Sequence, residues 1–379
     1  MVASAPGERL YSLDLFRGLT MAAMILVNNP GSWAHIHPPL RHAAWHGLTP
    51  TDLVFPFFLF IVGAALPFSR RLHMREPGAQ PVFLPILRRS LILFGLGLFI
   101  AAFPFLNFDP PPFWHPGLLA LRLPGVLQRI ALCYLAAALL SRRLGDRGLL
   151  VTGASILAAY TLAMHLIPVP GYGAGVLEGR GSSLAAWVDR QLLGPAHMWK
   201  REYDPEGLLS TFPALVTTLI GLRAGRILHA ARPGAERAAH LLAEGALLGA
   251  AGIAWSWFFP VNKALWTGAY VLITGGLAAL GLGLCFYLAD LQGRKAWGRP
   301  FAIMGRNAIT LFVGSALVGR LLLFIQVGEG LSLKQWLFTR LYLPLLPPRD
   351  ASLAYASSWL LLWFLLLLGL HRRRLVFKV

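Results

Sequence analysis

The sequence predicts an all-α polytopic integral membrane protein of about ten transmembrane helices with both termini cytoplasmic, on three observations. Of 379 residues, 56% are hydrophobic and only 13% charged, with a mean hydropathy of +0.60. A soluble domain carries roughly 25% charged residues. Apolar runs of roughly 20 residues, each long enough to cross a bilayer core, recur from end to end. Lastly, Lys and Arg gather at the ends of these runs with a consistent side preference.

In chain order the predicted spans are 12–29, 52–70, 84–103, 122–141, 149–167, 208–227, 240–258, 265–289, 302–325 and 352–371. Pro and Gly interrupt several, which is tolerated where neighbouring helices satisfy the freed backbone groups. With both ends inside, 20 of the 34 Lys and Arg fall on the cytoplasmic side, ten on the opposite side and four within spans. Loops 30–51, 104–121, 168–207, 259–264 and 326–351 are then external, and three of them are rich in His, Asn, Asp, Glu and Trp. Chemistry is therefore expected on the outer side. The chain reads as a single transmembrane domain over 1–379, with no separate soluble domain.

The first ten residues, MVASAPGERL, lack an apolar core and a cleavage motif, so insertion is expected to rest on the spans themselves. The formal net charge of +18 does not imply nucleic acid, because the basic residues form neither a groove nor an RNA-binding motif. The expected partner of this surface is the lipid bilayer. Cys133 and Cys285 both fall in apolar spans, which supports neither a disulfide framework nor a zinc site. No internal repeat suggests paired transporter halves.

Asp14 and Arg17 stand three apart at the start of the first span, so they share a helix face and can form a structural ion pair. Ionisable groups inside a span otherwise face a cavity. At the far end Asn28 and Asn29 precede Pro30-Gly31, where an Asn can cap the helix or donate to a polar ligand. His35, His37, His42 and His46 follow within twelve residues. His42 and His46 have the spacing of a helical ligand pair, but no Cys and no HExxH completes a metal site, and no metal is expected. A general base suits an imidazole better, since it accepts and returns a proton near neutral pH. Asp52 opens the next span, either as an N-terminal carboxylate favoured by the helix dipole or as the acid orienting His42.

Arg122, Gln128 and Arg129 lie on or beside an otherwise apolar span. A guanidinium fork suits phosphate or carboxylate, and structural pairing of Arg129 with Asp14 or another buried acid is the rival reading. In the long outer loop Asp189, Glu202, Asp204 and Glu206 bring acids to the side where an amine or hydroxyl would arrive. Asp204-Pro205-Glu206-Gly207 also reads as a helix start. Asn262, Lys263 and Trp266 top a later hairpin, and Arg306-Asn307 open the ninth span.

SLDLFRGL, VNNPGSW, HAAWHGLTPTDLVFPFFLFIVG, LPGVLQRIALCYL, DPEGLLSTFPALVTTLIGLRAG, FPVNKALWT and GRNAI, in this order over nearly the whole chain, resemble the heparan-α-glucosaminide N-acetyltransferase family and its bacterial relatives. The resemblance implies transfer of an acetyl group from cytoplasmic acetyl-CoA to an amine, of glucosamine type, across the membrane. It assigns His42, in the His-x-x-Trp element, as the catalytic histidine, with Asn28 and Asp52 beside it. His42 then serves as general base or as transient acetyl carrier. Arg122, Gln128, Arg129, Asn262, Lys263 and Asn307 become candidates for binding acetyl-CoA, and Trp45, His46, Asp204 and Glu206 for binding the acceptor. The resemblance further implies a homodimer and a bacterial inner-membrane location. Lysosomal members carry a large lumenal N-terminal region absent here, which favours an envelope or chitin-derived amino sugar as acceptor over heparan sulfate. An O-acyltransferase of envelope glycans and a transporter of sugars or lipids are the alternatives. The first would give an alkali-labile ester, and the second would give flux indifferent to His42.

Overall fold

The computed structural model describes residues 10–69, 83–105, 114–328 and 330–375. Arg9, Arg70, Arg71, Arg75 and Lys378, counted above in the charge bias, lie outside them. The described chain is mostly helical: α1 (Tyr11–Asn28), α2 (Val54–Ala64), α3 (Phe83–Ala102), α4 (Val126–Arg143), α5 (Asp146–Leu166) and α6 (Leu184–Leu193) come first. They are followed by α7 (Thr211–His229), α8 (Gly234–Trp255), α9 (Gly268–Cys285), α10 (Arg299–Arg306), α11 (Ala308–Phe324), α12 (Leu333–Leu337) and α13 (Pro348–Arg372). A two-residue antiparallel ladder pairs Gln326 with Ser332 and Val327 with Leu331.

A helix covers each of the ten predicted spans, the ninth being broken between α10 and α11 by a 79° bend. Six helical segments among the described residues are long and apolar enough to cross a bilayer, or seven if the bent pair counts as one. The other three, α1, α4 and α7, carry Asp14 and Arg17, Arg129 with Arg142 and Arg143, and Arg223 with Arg226. Charge lowers their mean hydropathy, and it is accommodated because much of α1 and α7 is enclosed by other helices: Leu15, Met21, Ile25, Ala214, Leu222 and Leu228 are almost wholly buried.

One apolar cluster joins Leu13 and Phe16 of α1 to Phe60 of α2, Ala224 of α7, Leu241 of α8 and Leu282 of α9. Burying such a side chain is worth about 1.5–3 kcal/mol where water is the alternative. Between helices in lipid, close backbone packing and van der Waals contact take over that role. The crossing of α2 with α7 illustrates this. Gly221-Leu222-Arg223-Ala224-Gly225 is a small-x-x-x-small stretch, and a Cβ at Gly221 or Gly225 would overlap the carbonyl oxygens of Phe60 or Ala64. Gly63 of α2 meets the Thr218 carbonyl in the same way. Backbone therefore lies on backbone, which fixes the second half of α2 against α7.

Candidate active site

Asp52 organises the site from the start of α2. Its side chain is only 1% exposed. Thr49 and Asp52 form a reciprocal capping box over the turn Pro50–Leu53 that leads into α2. Asp52 Oδ2 accepts from the Thr49 backbone N–H (3.1 Å), the Thr49 hydroxyl (2.9 Å) and the Ala43 N–H (3.0 Å). Oδ1 lies 2.7 Å from His42 Nδ1. The two oxygens thus divide their contacts, Oδ2 to the cap and Oδ1 to His42. An ionised carboxylate is acceptor-only, so Nδ1 carries the proton in this pair and Nε2 is left as the basic nitrogen. The His42 side chain is 47% exposed, so a reactant has access to it.

The turn 261–267 supplies the next residues, and its sequence explains its shape. The Asn262 amide oxygen accepts from Leu265 N–H (2.9 Å), and its backbone N–H donates to Thr267 Oγ1 (3.1 Å), which caps α9. Trp266 sits at φ +52°, a left-handed conformation rare for a bulky residue. Its surroundings hold it there: the indole N–H donates to Thr217 Oγ1 (3.2 Å), and Phe55 and Tyr270 pack edge-on, each at 5.1 Å. Backbone strain of this kind persists only where packing over-determines it, and it concentrates at functional sites. Lys263 Nζ consequently lies 3.4 Å from Asp52 Oδ1 and 3.1 Å from His42 Nδ1. Burial lowers the pKa of Lys263, while Asp52 and Glu206 act to raise it. The Tyr270 hydroxyl donates to the Asp52 carbonyl (2.6 Å), a contact the sequence did not signal.

His46 Nδ1 faces Asn262 Nδ2 at 3.2 Å, and Glu178 Oε2 stands 3.2 Å from His46 Nε2 without hydrogen-bond geometry. Trp45 donates to the Leu177 carbonyl (2.8 Å) and packs edge-on against Tyr203. Both residues tie the loop 168–207 to the site. The four histidines disperse: His37 meets Asp350 at 3.0 Å, His42 meets Asp52, His46 meets Asn262, and His35 is exposed.

Residues expected to bind two different ligands form one cluster. Arg122 Nε donates to Asp204 Oδ2 (2.8 Å) and its Nη2 to Asp204 Oδ1 (2.5 Å) and to Glu206 Oε2, with Trp199 stacked on the guanidinium at 5.1 Å. Arg129 is almost wholly enclosed and pairs with no acid among the described residues. Its Nη2 donates to the Gly207 carbonyl (2.9 Å) and Ser210 Oγ (2.5 Å), and its guanidinium lies 5.0 Å over Trp266. Arg129 Nε and Nη1 have no partner among the described residues. Asp189, noted in the sequence only as one acid of this loop, is buried and accepts from Leu208 N–H (2.8 Å). Burial, with the like charge of Asp204 beside it, raises its pKa to about 7.

Asp14 Oδ1 is 3.4 Å from Arg17, as the spacing predicted, and Oδ2 is 3.4 Å from Arg306, a third member arriving from α10. These three, Arg89 and Ser69 border a cavity of about 560 Å³, whose other lining residues are mostly apolar and include Phe58, Leu93, Val126 and Phe312. Gln128 is buried against Gly97 and Gly125 and does not line it. Asn307 sits at the α10–α11 break, fully buried, with neither amide atom hydrogen-bonded among the described residues. Asn28 ends α1 with an exposed side chain, and no hydrogen bond among the described residues joins it to His42 or Asp52. Asn29 takes the capping role, donating to the Ile25 carbonyl (2.9 Å).

The family model described as heparan-alpha-glucosaminide N-acetyltransferase, catalytic, matches residues 9–252, which include His42, Asp52, Arg122, Arg129, Asp204 and Glu206. The chain belongs to this family. It is similar to the human heparan-alpha-glucosaminide N-acetyltransferase, with 31% identity over 368 residues covering 82% of this chain and 53% of the human protein. The mouse protein of the same name is 30% identical over 363 residues, covering 81% of this chain and 53% of its own length. The chain thus spans about half the length of the curated relatives it matches. Its apolar helices and its family make it a multi-pass integral membrane protein. The family model's match ends before Asn262, Lys263 and Asn307.

Proposed function

We propose that the protein is a membrane-embedded acetyltransferase that moves an acetyl group from acetyl-CoA on the cytoplasmic side to an amino-sugar amine on the opposite side. The observation that carries this reading is the His42–Asp52 pair, 2.7 Å apart with Nε2 open, in a chain of this family. Topology in this reading keeps both termini and the start of α1 cytoplasmic, uses ten spans, and puts the 30–51 loop outside, in a bacterial inner membrane.

The cavity beside Arg17, Arg89 and Arg306 supports entry of the donor from the inner side, since guanidinium groups match the phosphates of CoA. From Arg17 to Asn28 the helical rise is roughly 16 Å, comparable to a pantetheine arm. The thioester then arrives near the outer end of α1. His42 Nε2 takes a proton from the neutral amine as its nitrogen attacks the carbonyl. The C–N bond forms, the C–S bond breaks, and the thiolate receives the proton from His42. Asp52 holds the tautomer and stabilises the transient imidazolium. Asn28, with a free amide, is the candidate donor to the oxyanion.

Acetyl transfer in membranes is the test, wild type against His42→Ala, with a panel of amino sugars. Loss of 10²-fold or more in turnover is expected, and unchanged turnover defeats the reading. Labelled acetyl-CoA without acceptor should leave label on His42 only if the ring carries the acetyl group itself.

A further inference from the structure

Lys263 is more closely tied to His42 than a phosphate-binding role allows. Its Nζ lies beside the pair, 3.1 Å from His42 Nδ1 and 3.4 Å from Asp52 Oδ1, and it does not border the arginine-lined cavity. Asp52 Oδ2 is already occupied by three donors from Ala43 and Thr49. Oδ1 is therefore shared by the imidazole and the ammonium. The turn that presents Lys263 is secured by Asn262, Thr267 and the left-handed Trp266, so the placement is built in.

An isolated carboxylate against an imidazole stabilises the imidazolium. A ring already protonated cannot take a proton from an amine. A cation at the same distance acts with the opposite sign and comparable size. Other groups face the pair as well: Glu206 is electrostatically coupled to Lys263, His46 lies across Asn262, and the Tyr270 hydroxyl is engaged with the Asp52 carbonyl. Among the described residues, Lys263 is the cation in contact with His42.

We propose that Lys263 is a positioning residue of this site: its ammonium offsets the Asp52 carboxylate and keeps the His42 ring neutral, with Nε2 free to accept a proton. The inference rests on His42 being the base of the transfer. It also specifies Lys263 by charge, so arginine should substitute and an uncharged side chain should not.

The test is carbethoxylation of His42 by diethyl pyrocarbonate, which modifies neutral imidazole. The purified full-length protein is treated from about pH 5 to pH 9, and the His42 peptide is quantified by mass spectrometry. Lys263→Met, Lys263→Gln and Lys263→Arg are compared with wild type, the two neutral variants ensuring that one folded uncharged protein is available. The uncharged variants should move the reactivity midpoint up by about one pH unit or more, and Lys263→Arg should stay within a few tenths. The acidic limb of kcat/KM should move with it, giving a roughly tenfold loss near neutral pH with the donor KM unchanged. An unmoved midpoint in the uncharged variants overturns the proposal. So does an arginine variant that shifts as far as methionine, or a raised donor KM with a fixed midpoint. Modification needs no acetyl transfer, so this outcome is separable from turnover surviving in His42→Ala, which would defeat the functional reading alone.

Discussion

Asp52 and Asp189 show how position decides what a carboxyl does. Asp52 meets donors on both oxygens and serves cap and histidine together. Asp189, buried near Asp204 with a backbone donor, is pushed to a pKa of about 7 from an ordinary 3.8. Between those values the folded state holds a proton that the unfolded chain has released. Its contribution to stability is thus full below about pH 4 and is lost as pH rises through about 7. Asn at 189 cannot titrate, so the stability of Asp189→Asn relative to wild type should improve with pH, by up to roughly 1 kcal/mol per unit. Melting temperatures of the two purified proteins from about pH 5 to pH 8 check this, and parallel curves would refute it. Nothing in the sequence marked Asp189 as the buried acid of this loop, because burial of a loop acid depends on what the loop folds against.

At the scale of elements, the α2–α7 crossing positions the chemistry. α2 begins with the Asp52 turn, while α7 carries Thr217, which anchors Trp266, and follows Gly207 and Ser210, which hold Arg129. Gly225 has the Ala64 carbonyl where a side chain would go. Gly225→Leu should push the helices apart, destabilising by about 1–3 kcal/mol or more and lowering activity even in the fraction that folds. Monodispersity on size exclusion and the melting temperature report it, with Leu at the open Gly249 as a control expected to be near neutral. The helices themselves were legible from apolar run length. Their close crossing was written as GLRAG, but the partner that approaches those glycines was not.

Across the whole molecule, α1, α2, α3, α4, α10 and α11 together enclose the cavity, and arginines from three of them meet at it. Arg89, stacked on Tyr134 at 4.8 Å, contributes one of these charges. Arg89→Ala should raise the donor KM roughly tenfold or more with kcat within a few-fold, as expected for a lost charge-assisted contact made in ground and transition states alike. Steady-state kinetics with varied acetyl-CoA tests it, and an unchanged KM removes Arg89 from the donor site. The sequence named Arg17 and Arg306 as intramembrane charges, but their meeting across α1 and α10 needed the fold.

Run length and residue type determined the helical class and the positions of the helices, and they offered Asp52 as one possible partner of His42, the histidine that the resemblance singled out. These depend on local periodicity and on residues ten apart in one loop-to-helix segment. Tertiary structure decided that Lys263 belongs with His42, 221 residues away, and that Arg122 is paired with Asp204 and Glu206 and not left open for phosphate. A charge's role is set by its nearest opposite charge and its solvent, and both are chosen by how distant helices cross.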